Sequence, residues 1–119
     1  MIEFTVPYPP PANHRLMVVR NRMIKTQEAR DYAIQVGLLA NITCKTPLTK
    51  EVRVSLYVYR PRKVGDLDNI FKILLDAMSG IIYCDDKQII ELHAFRREDK
   101  INPRIRVFVE EVVEYDKVK

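Results

Sequence analysis

The sequence predicts a small α+β fold, a mixed β-sheet with two main helices in the order β-α-β-α-β-β. Three observations lead there. Residues 51–59 alternate Val52, Val54, Leu56 and Val58 with Arg53, Ser55, Tyr57 and Tyr59, the period of a strand buried on one side. Two segments, 26–40 and 69–79, carry apolar residues at helical spacing instead. Two further strand-like runs, at 88–97 and 104–113, close the chain. At 119 residues the length is that of one domain, spanning 1–119. A core this small gains from pairing with a second copy.

The elements follow in order. Ile2, Phe4 and Val6 alternate with Glu3 and Thr5, which gives a first strand, and the run Pro7-Tyr8-Pro9-Pro10-Pro11 ends it because proline has no ladder donor. Residues 12–25 are polar and basic with little periodicity, a long loop with room for a short hairpin. Thr26 is placed to cap a helix running to about Ala40, whose apolar side holds Ala29, Tyr32, Ala33, Val36 and Leu39. After the 51–59 strand, the loop 60–65 leads to the second helix, which Gly80 stops. A turn at 81–87 and a polar connection at 98–103 complete the chain.

Composition narrows the function. No run approaches the roughly 18–20 apolar residues that span a bilayer, and Met1-Ile2-Glu3-Phe4 lacks the basic and apolar regions of a secretory signal. Cys44 and Cys84 are far apart and lack metal-type spacing, so both are expected as free thiols in a reducing cytoplasm. The net charge of +4 fits a nucleic-acid partner, though for any single basic cluster a solvated surface is the favoured reading. The clusters are Arg20, Arg22 and Lys25; Arg60, Arg62 and Lys63; and Arg96, Arg97 and Lys100.

The chemistry concentrates in Gly65-Asp66-Leu67-Asp68-Asn69-Ile70-Phe71-Lys72 and the residues that follow to Ser79. This helix is apolar nearly all round, which marks it as mostly buried. Its polar residues Asn69, Lys72, Asp76 and Ser79 fall on one stripe, and three residues back along it lies Asp66. The plain alternative is a helix capped by Asp68, with a Lys72–Asp76 pair on its wet face. A second acidic group, Asp85-Asp86, sits in the turn before the third main strand, where adjacent acids are commonly turn residues. If it faces Asp66 and Asp68, three or four carboxylates converge, and their repulsion requires a cation. Oxygen donors without His or Cys point to Mg²⁺ or Mn²⁺. Such an ion activates water for phosphodiester hydrolysis, and Lys72 is placed to neutralise charge building on the phosphate. His14 and His93 are too few for a zinc site. Cys84 is expected to be a small buried residue. Tyr8, Tyr83 and Phe95 are expected in packing rather than base stacking. Glu91 and Asp76 stand as further carboxylates whose part in the site is open.

The set Asp66-x-Asp68-Asn69-x-x-Lys72-x-x-x-Asp76-Ala77, followed by Asp85-Asp86-x-Gln88, resembles the core signature of the RusA family of Holliday-junction resolvases. Pro9-Pro10-Pro11-Ala12-Asn13 is similar to the family's Pro-Pro-x-x-Asn segment. The resemblance covers nearly the whole chain. It implies a bacterial or phage-encoded endonuclease that resolves four-way DNA junctions by paired symmetric nicking in recombination and repair. Asp66, Asp68 and Asp86 match the family's essential aspartates and Lys72 its functional lysine. The implied cofactor is Mg²⁺, with Mn²⁺ able to substitute, held by those aspartates with Asp85 as a further candidate. No small-molecule cofactor and no membrane partner are expected. The implied partners are branched DNA and a second copy, in a homodimer whose two sites meet equivalent phosphates. Candidate DNA contacts are Asn13, Arg15, Arg20, Arg22, Lys25, Arg60, Arg62, Lys63 and Asn69. The family's dense basic run before the first aspartate is thinned here to Arg60, Arg62 and Lys63. The competing readings are a structure-selective DNA-binding protein of the same fold that does not cut, and a hydrolase of small phosphate esters.

Overall fold

The computed structural model describes residues 1–11, 14–62 and 67–113, except for the side chains of Asp68 and Asn69. Its main sheet has four strands: β1 (Ile2–Pro7), β4 (Val52–Arg60), β5 (Ile89–Glu98) and β6 (Arg104–Glu111). They lie in the order β1-β6-β4-β5. β6 runs antiparallel to both β1 and β4, while β5 pairs parallel to β4, so the sheet is mixed as expected.

β4 sets the two faces. Val52, Val54, Leu56 and Val58 are fully buried, and Arg53, Ser55, Tyr57 and Tyr59 are half-buried on the other side. Strand periodicity therefore reads directly as inside and outside. Ile105, Val107 and Val109 of β6 and Phe4 and Val6 of β1 join the buried face. Helices α1 (Gln27–Thr43) and α2 (Leu67–Met78) supply the rest of the core, with Tyr32, Val36 and Ala40 from one and Ile70, Leu74 and Met78 from the other.

Thr26 caps α1, its hydroxyl accepting from the Ala29 N–H at 3.1 Å. The helix runs one turn past the expected Ala40, because Asn41-Ile42-Thr43 contains no breaker. Gly80, at φ +85°, ends α2, where a side chain would be strained. α2 begins at Leu67, two residues before the expected start, so Asp68 lies in its first turn and not at the cap.

The six-element order needs one correction. The basic segment after the prolines folds into a hairpin, β2 (Leu16–Val19) and β3 (Arg22–Lys25), which adds two strands. Its two turn residues, Arg20 (φ 52°) and Asn21 (φ 64°), both take the left-handed conformation of a two-residue hairpin turn. Arginine in that conformation gives no sequence signal, and all eight strand residues are exposed, so no alternation marks them.

The β5–β6 connection is held by Asp99. Its carboxylate accepts from the backbone N–H of Ile101 and Asn102, at 3.1 Å each, and from Arg104 at 2.9 Å. These bonds, led by the Asn102 N–H and the Arg104 guanidinium, hold the Asp99 carboxyl below its ordinary range. A carboxyl depressed in the folded state stabilises above its unfolded pKa, about 3.9, and that contribution is lost as pH falls through the folded value. Asp99→Asn is therefore expected to lower the thermal midpoint at pH 7 and to lose less than wild type between pH 5 and 2. Parallel midpoint-against-pH curves for the two proteins would refute the assignment.

Candidate active site

The polar stripe of α2 faces outward. Lys72, Asp76 and Ser79 are exposed, while Ile70, Leu74 and Met78, at i, i+4 and i+8, are buried against the sheet. Phe71, Ile73, Leu75 and Ala77 are only partly buried, so the helix is less enclosed than its composition implies. Lys72 and Asp76 do not pair with each other, so the plain reading of that stripe as an ion-paired face does not hold. Asp66 lies outside the described residues, as do the side chains of Asp68 and Asn69.

The chain then returns beside the C-terminal half of α2. Tyr83 is fully buried, and its hydroxyl donates to the Leu75 carbonyl at 2.8 Å. Burial, then the negative charges of Asp86 and Asp76, push the Tyr83 hydroxyl far up, so it stays a neutral donor. Residues 84–88 form a locked turn. Asp85 caps a single 3-10 turn (Asp86–Gln88) by accepting from the Lys87 N–H at 3.0 Å. The Gln88 Oε1 accepts from the N–H of Cys84 and Asp85, and its Nε2 donates to the carbonyls of Leu48 and Lys50, each bond at 2.7–2.9 Å. Gln88 thus fastens the acidic turn to the loop before β4. The sequence carried this signal in the Asp-x-x-Gln spacing of a capping box, although the role of Gln88 was not assigned from it.

The two adjacent acids differ as a result. The Lys87 N–H and the side-chain bond to Asp86 hold Asp85 below the ordinary carboxylate range. Asp86 is raised, first by that same bond to Asp85, then by desolvation and the charges of Asp85 and Asp76. Asp85 shapes the turn, while Asp86 is exposed and lies within the electrostatic reach of Asp76 on the polar stripe of α2. The described carboxylate that acts on it from the helix is Asp76. Asp68 lies eight residues earlier, about 12 Å of helical rise away.

The remaining candidates are scattered. Glu91 is engaged on the far side of the sheet, where Arg53 donates to it at 2.8 Å and His93 lies 3.1 Å away. Arg53, then His93, hold its carboxyl below the ordinary range. Cys84 is exposed, against the expected burial, because Gln88 pins its backbone while the side chain lies outside the core; Cys44 is buried, and both are free thiols. Tyr83 packs in the core as expected, and Tyr8 packs against it. Phe95 stacks on Tyr57.

Of the basic residues, Arg20, Arg22, Lys25 and Arg62 are exposed, Arg20 and Arg22 at the hairpin tip and Lys25 at its base, opposite Leu16. Arg15 is half-buried, and its Nε donates to the Pro10 carbonyl at 2.8 Å, tying the hairpin to the proline run. Arg60 is buried on the helix side, 9% exposed, and its Nε has no hydrogen-bond partner among the described residues. It stands at the end of β4 from which the loop carrying Asp66 departs. Asn13 and Lys63 lie outside the described residues.

A donor set of this kind suits a hard cation, since every candidate ligand is a carboxylate oxygen. Among the described residues no three metal-ligating side chains cluster closely enough to hold an ion by themselves. No described helix is long and apolar enough to cross a membrane. A search of curated proteins finds no match. The sequence model described as endodeoxyribonuclease RusA matches residues 7–110, which takes in the hairpin, both helices, β4, the acidic turn, β5 and nearly all of β6. A match over that span, with the acidic turn and the polar stripe of α2 inside it, places the chain in the RusA family of endodeoxyribonucleases.

Proposed function

We propose that the protein is a divalent-metal-dependent endonuclease that resolves four-way DNA junctions by paired symmetric nicks, acting as a homodimer in recombination and repair. The family match across 7–110 carries this reading, and the acidic residues within that span supply its chemistry. Asp66, Asp68 and Asp86 would hold Mg²⁺ or Mn²⁺, and the ion would provide a water acidic enough to attack a phosphodiester near neutral pH. Lys72, exposed on the same stripe, meets the phosphate and offsets the negative charge that builds in the transition state. Asp85 and Gln88 keep the turn in shape so that Asp86 is presented without rearrangement. The exposed Arg20, Arg22 and Lys25 extend the basic surface beyond the cutting residues. Clustered carboxylates next to DNA give a pure binding protein nothing, so the non-cutting alternative ranks second.

The deciding experiment is cleavage of a mobile-core four-way junction beside matched linear duplex in Mg²⁺, with Asp68→Asn as control. Paired symmetric nicks in the junction alone, absent from the control, are expected. Junction-selective binding without nicks would reduce the function to recognition.

A further inference from the structure

Arg60 is a buried charge without a counterpart among the described residues. It ends β4 and continues the face of Val52, Val54, Leu56 and Val58, on which both helices pack. An arginine stem can line a core while its head reaches water. Arg60 is only 9% exposed, however, and its Nε has no hydrogen-bond partner among the described residues. No described carboxylate forms an ion pair with it. Asp99 donates its backbone N–H to the Arg60 carbonyl at 2.8 Å, but its carboxylate is committed to Ile101, Asn102 and Arg104. The strand end is therefore fixed while the guanidinium stays unmatched. A buried charge without an opposite one destabilises the fold, and an arriving anion relieves that cost.

The start of α2 lies at the same end of the sheet. The other end of the helix is tied to the start of β4: the Leu48 N–H donates to the Ile82 carbonyl at 2.8 Å, and Tyr83 donates to Leu75. With 12 residues the helix is about 18 Å long, so its first turn stands near the carboxyl end of β4. Val58 and Ile70 share the core cluster, and Arg60 and Leu67 each lie one step further toward that end. The first four N–H groups of a helix have no partner within it and carry partial positive charge. α2 is the crossover between the parallel strands β4 and β5. A helix N-terminus outside the carboxyl end of such a strand favours phosphate.

The chemistry of the two groups selects the anion. The Nε and Nη donors of a guanidinium form a planar fork that meets two oxygens of one phosphate. Asp66 and Asp68 are assigned above to a cation, so the partner of Arg60 comes from outside the chain. Deepening the proposed function, on which it rests, we infer that Arg60 and the first turn of α2 form a seat for a backbone phosphate of the DNA. The seat differs in kind from the exposed Arg20, Arg22, Lys25 and Arg62, which exchange water for phosphate. Arg60 loses its water when the chain folds and is held in one place, so the phosphate it takes is fixed in position.

Thermal midpoints and junction binding in EDTA test this on Arg60→Met, which puts an apolar chain of similar shape in the core, with folding checked by circular dichroism. Arg60→Met is expected to melt about 3 °C or more above wild type, because an uncompensated buried charge is gone. Its junction binding is expected to fall about tenfold at about 0.1 M salt, with the slope of log affinity against log salt reduced by about one. Inorganic phosphate, compared with chloride at equal ionic strength, is expected to raise the wild-type midpoint more than that of Arg60→Met. Arg60→Lys keeps the charge without the fork, so it is expected to keep the salt slope at weaker affinity. An Arg60→Met protein that melts lower than wild type makes Arg60 a structural residue and overturns the inference. Unchanged binding and slope in a more stable Arg60→Met also overturn it. So does a variant that keeps the phosphate response and DNA binding but cuts slowly, since the partner is then a carboxylate of the site. A wild type that binds no junction sinks the proposed function, and the phosphate response of the two proteins still decides whether the seat exists.

Discussion

Asp86→Asn is expected to cut the junction-cleavage rate by more than about a hundredfold, beyond the loss typical of a residue that only orients a metal ligand, and to leave junction binding in EDTA intact. The carboxylate is exposed and caps nothing, so its replacement leaves the turn to Asp85 and Gln88. The thermal midpoint should accordingly stay close to wild type. Removing a negative charge near the DNA favours binding if it changes it at all. Single-turnover cleavage in Mg²⁺ beside equilibrium binding without metal separates the two effects. Asp85→Asn makes the informative contrast. Asp85 accepts the Lys87 N–H, so its loss should disturb the turn and lower stability as well as rate. A D86N protein that cuts like wild type would remove Asp86 from the metal set. Equal losses of binding and cleavage would make it a shaping residue like its neighbour.

Much of this architecture was legible because burial alternates so plainly. β4 could be read residue by residue, and the Thr26 cap and the Gly80 stop bounded the helices to within a turn. Three features were not. The β2–β3 hairpin is exposed on both faces, so it lacks the one-sided apolar pattern that marks a strand. The parallel pairing of β5 with β4 depends on a crossover through α2, which no local signal encodes. The division of labour between Asp85 and Asp86 depends on backbone donors that appear only once Gln88 has tied the turn to the 48–50 loop. At the site, the residue types and their spacing were readable and their convergence was not. Asp76, left open in the sequence, is the described helix carboxylate that acts on Asp86, while Glu91 is drawn to the other side of the sheet by Arg53.

Leu74→Ala is expected to be among the most destabilising changes in the chain, because one side chain anchors the helix that carries the site. Leu74 is fully buried between Ile70 and Met78 on the face of α2 that meets the sheet. Truncating a leucine so placed costs about 2–5 kcal/mol, part from lost transfer and part from the cavity left behind. A domain has about 5–15 kcal/mol in total. Leu38→Ala is the matched control, since Leu38 is 61% exposed on α1 and its loss should fall within about 0.5 kcal/mol. Urea midpoints at one protein concentration make the comparison, because any self-association would otherwise shift them. Equal midpoints for the two variants would mean that α2 is not seated as described. The cleavage rate at low temperature, where L74A remains folded, adds a second measure. Lys72, Asp76 and the backbone of Asp68 ride on the same two turns of helix as Leu74. A rate that falls there while Leu38→Ala keeps its own would show that the packing beneath the helix fixes the position of the stripe above it.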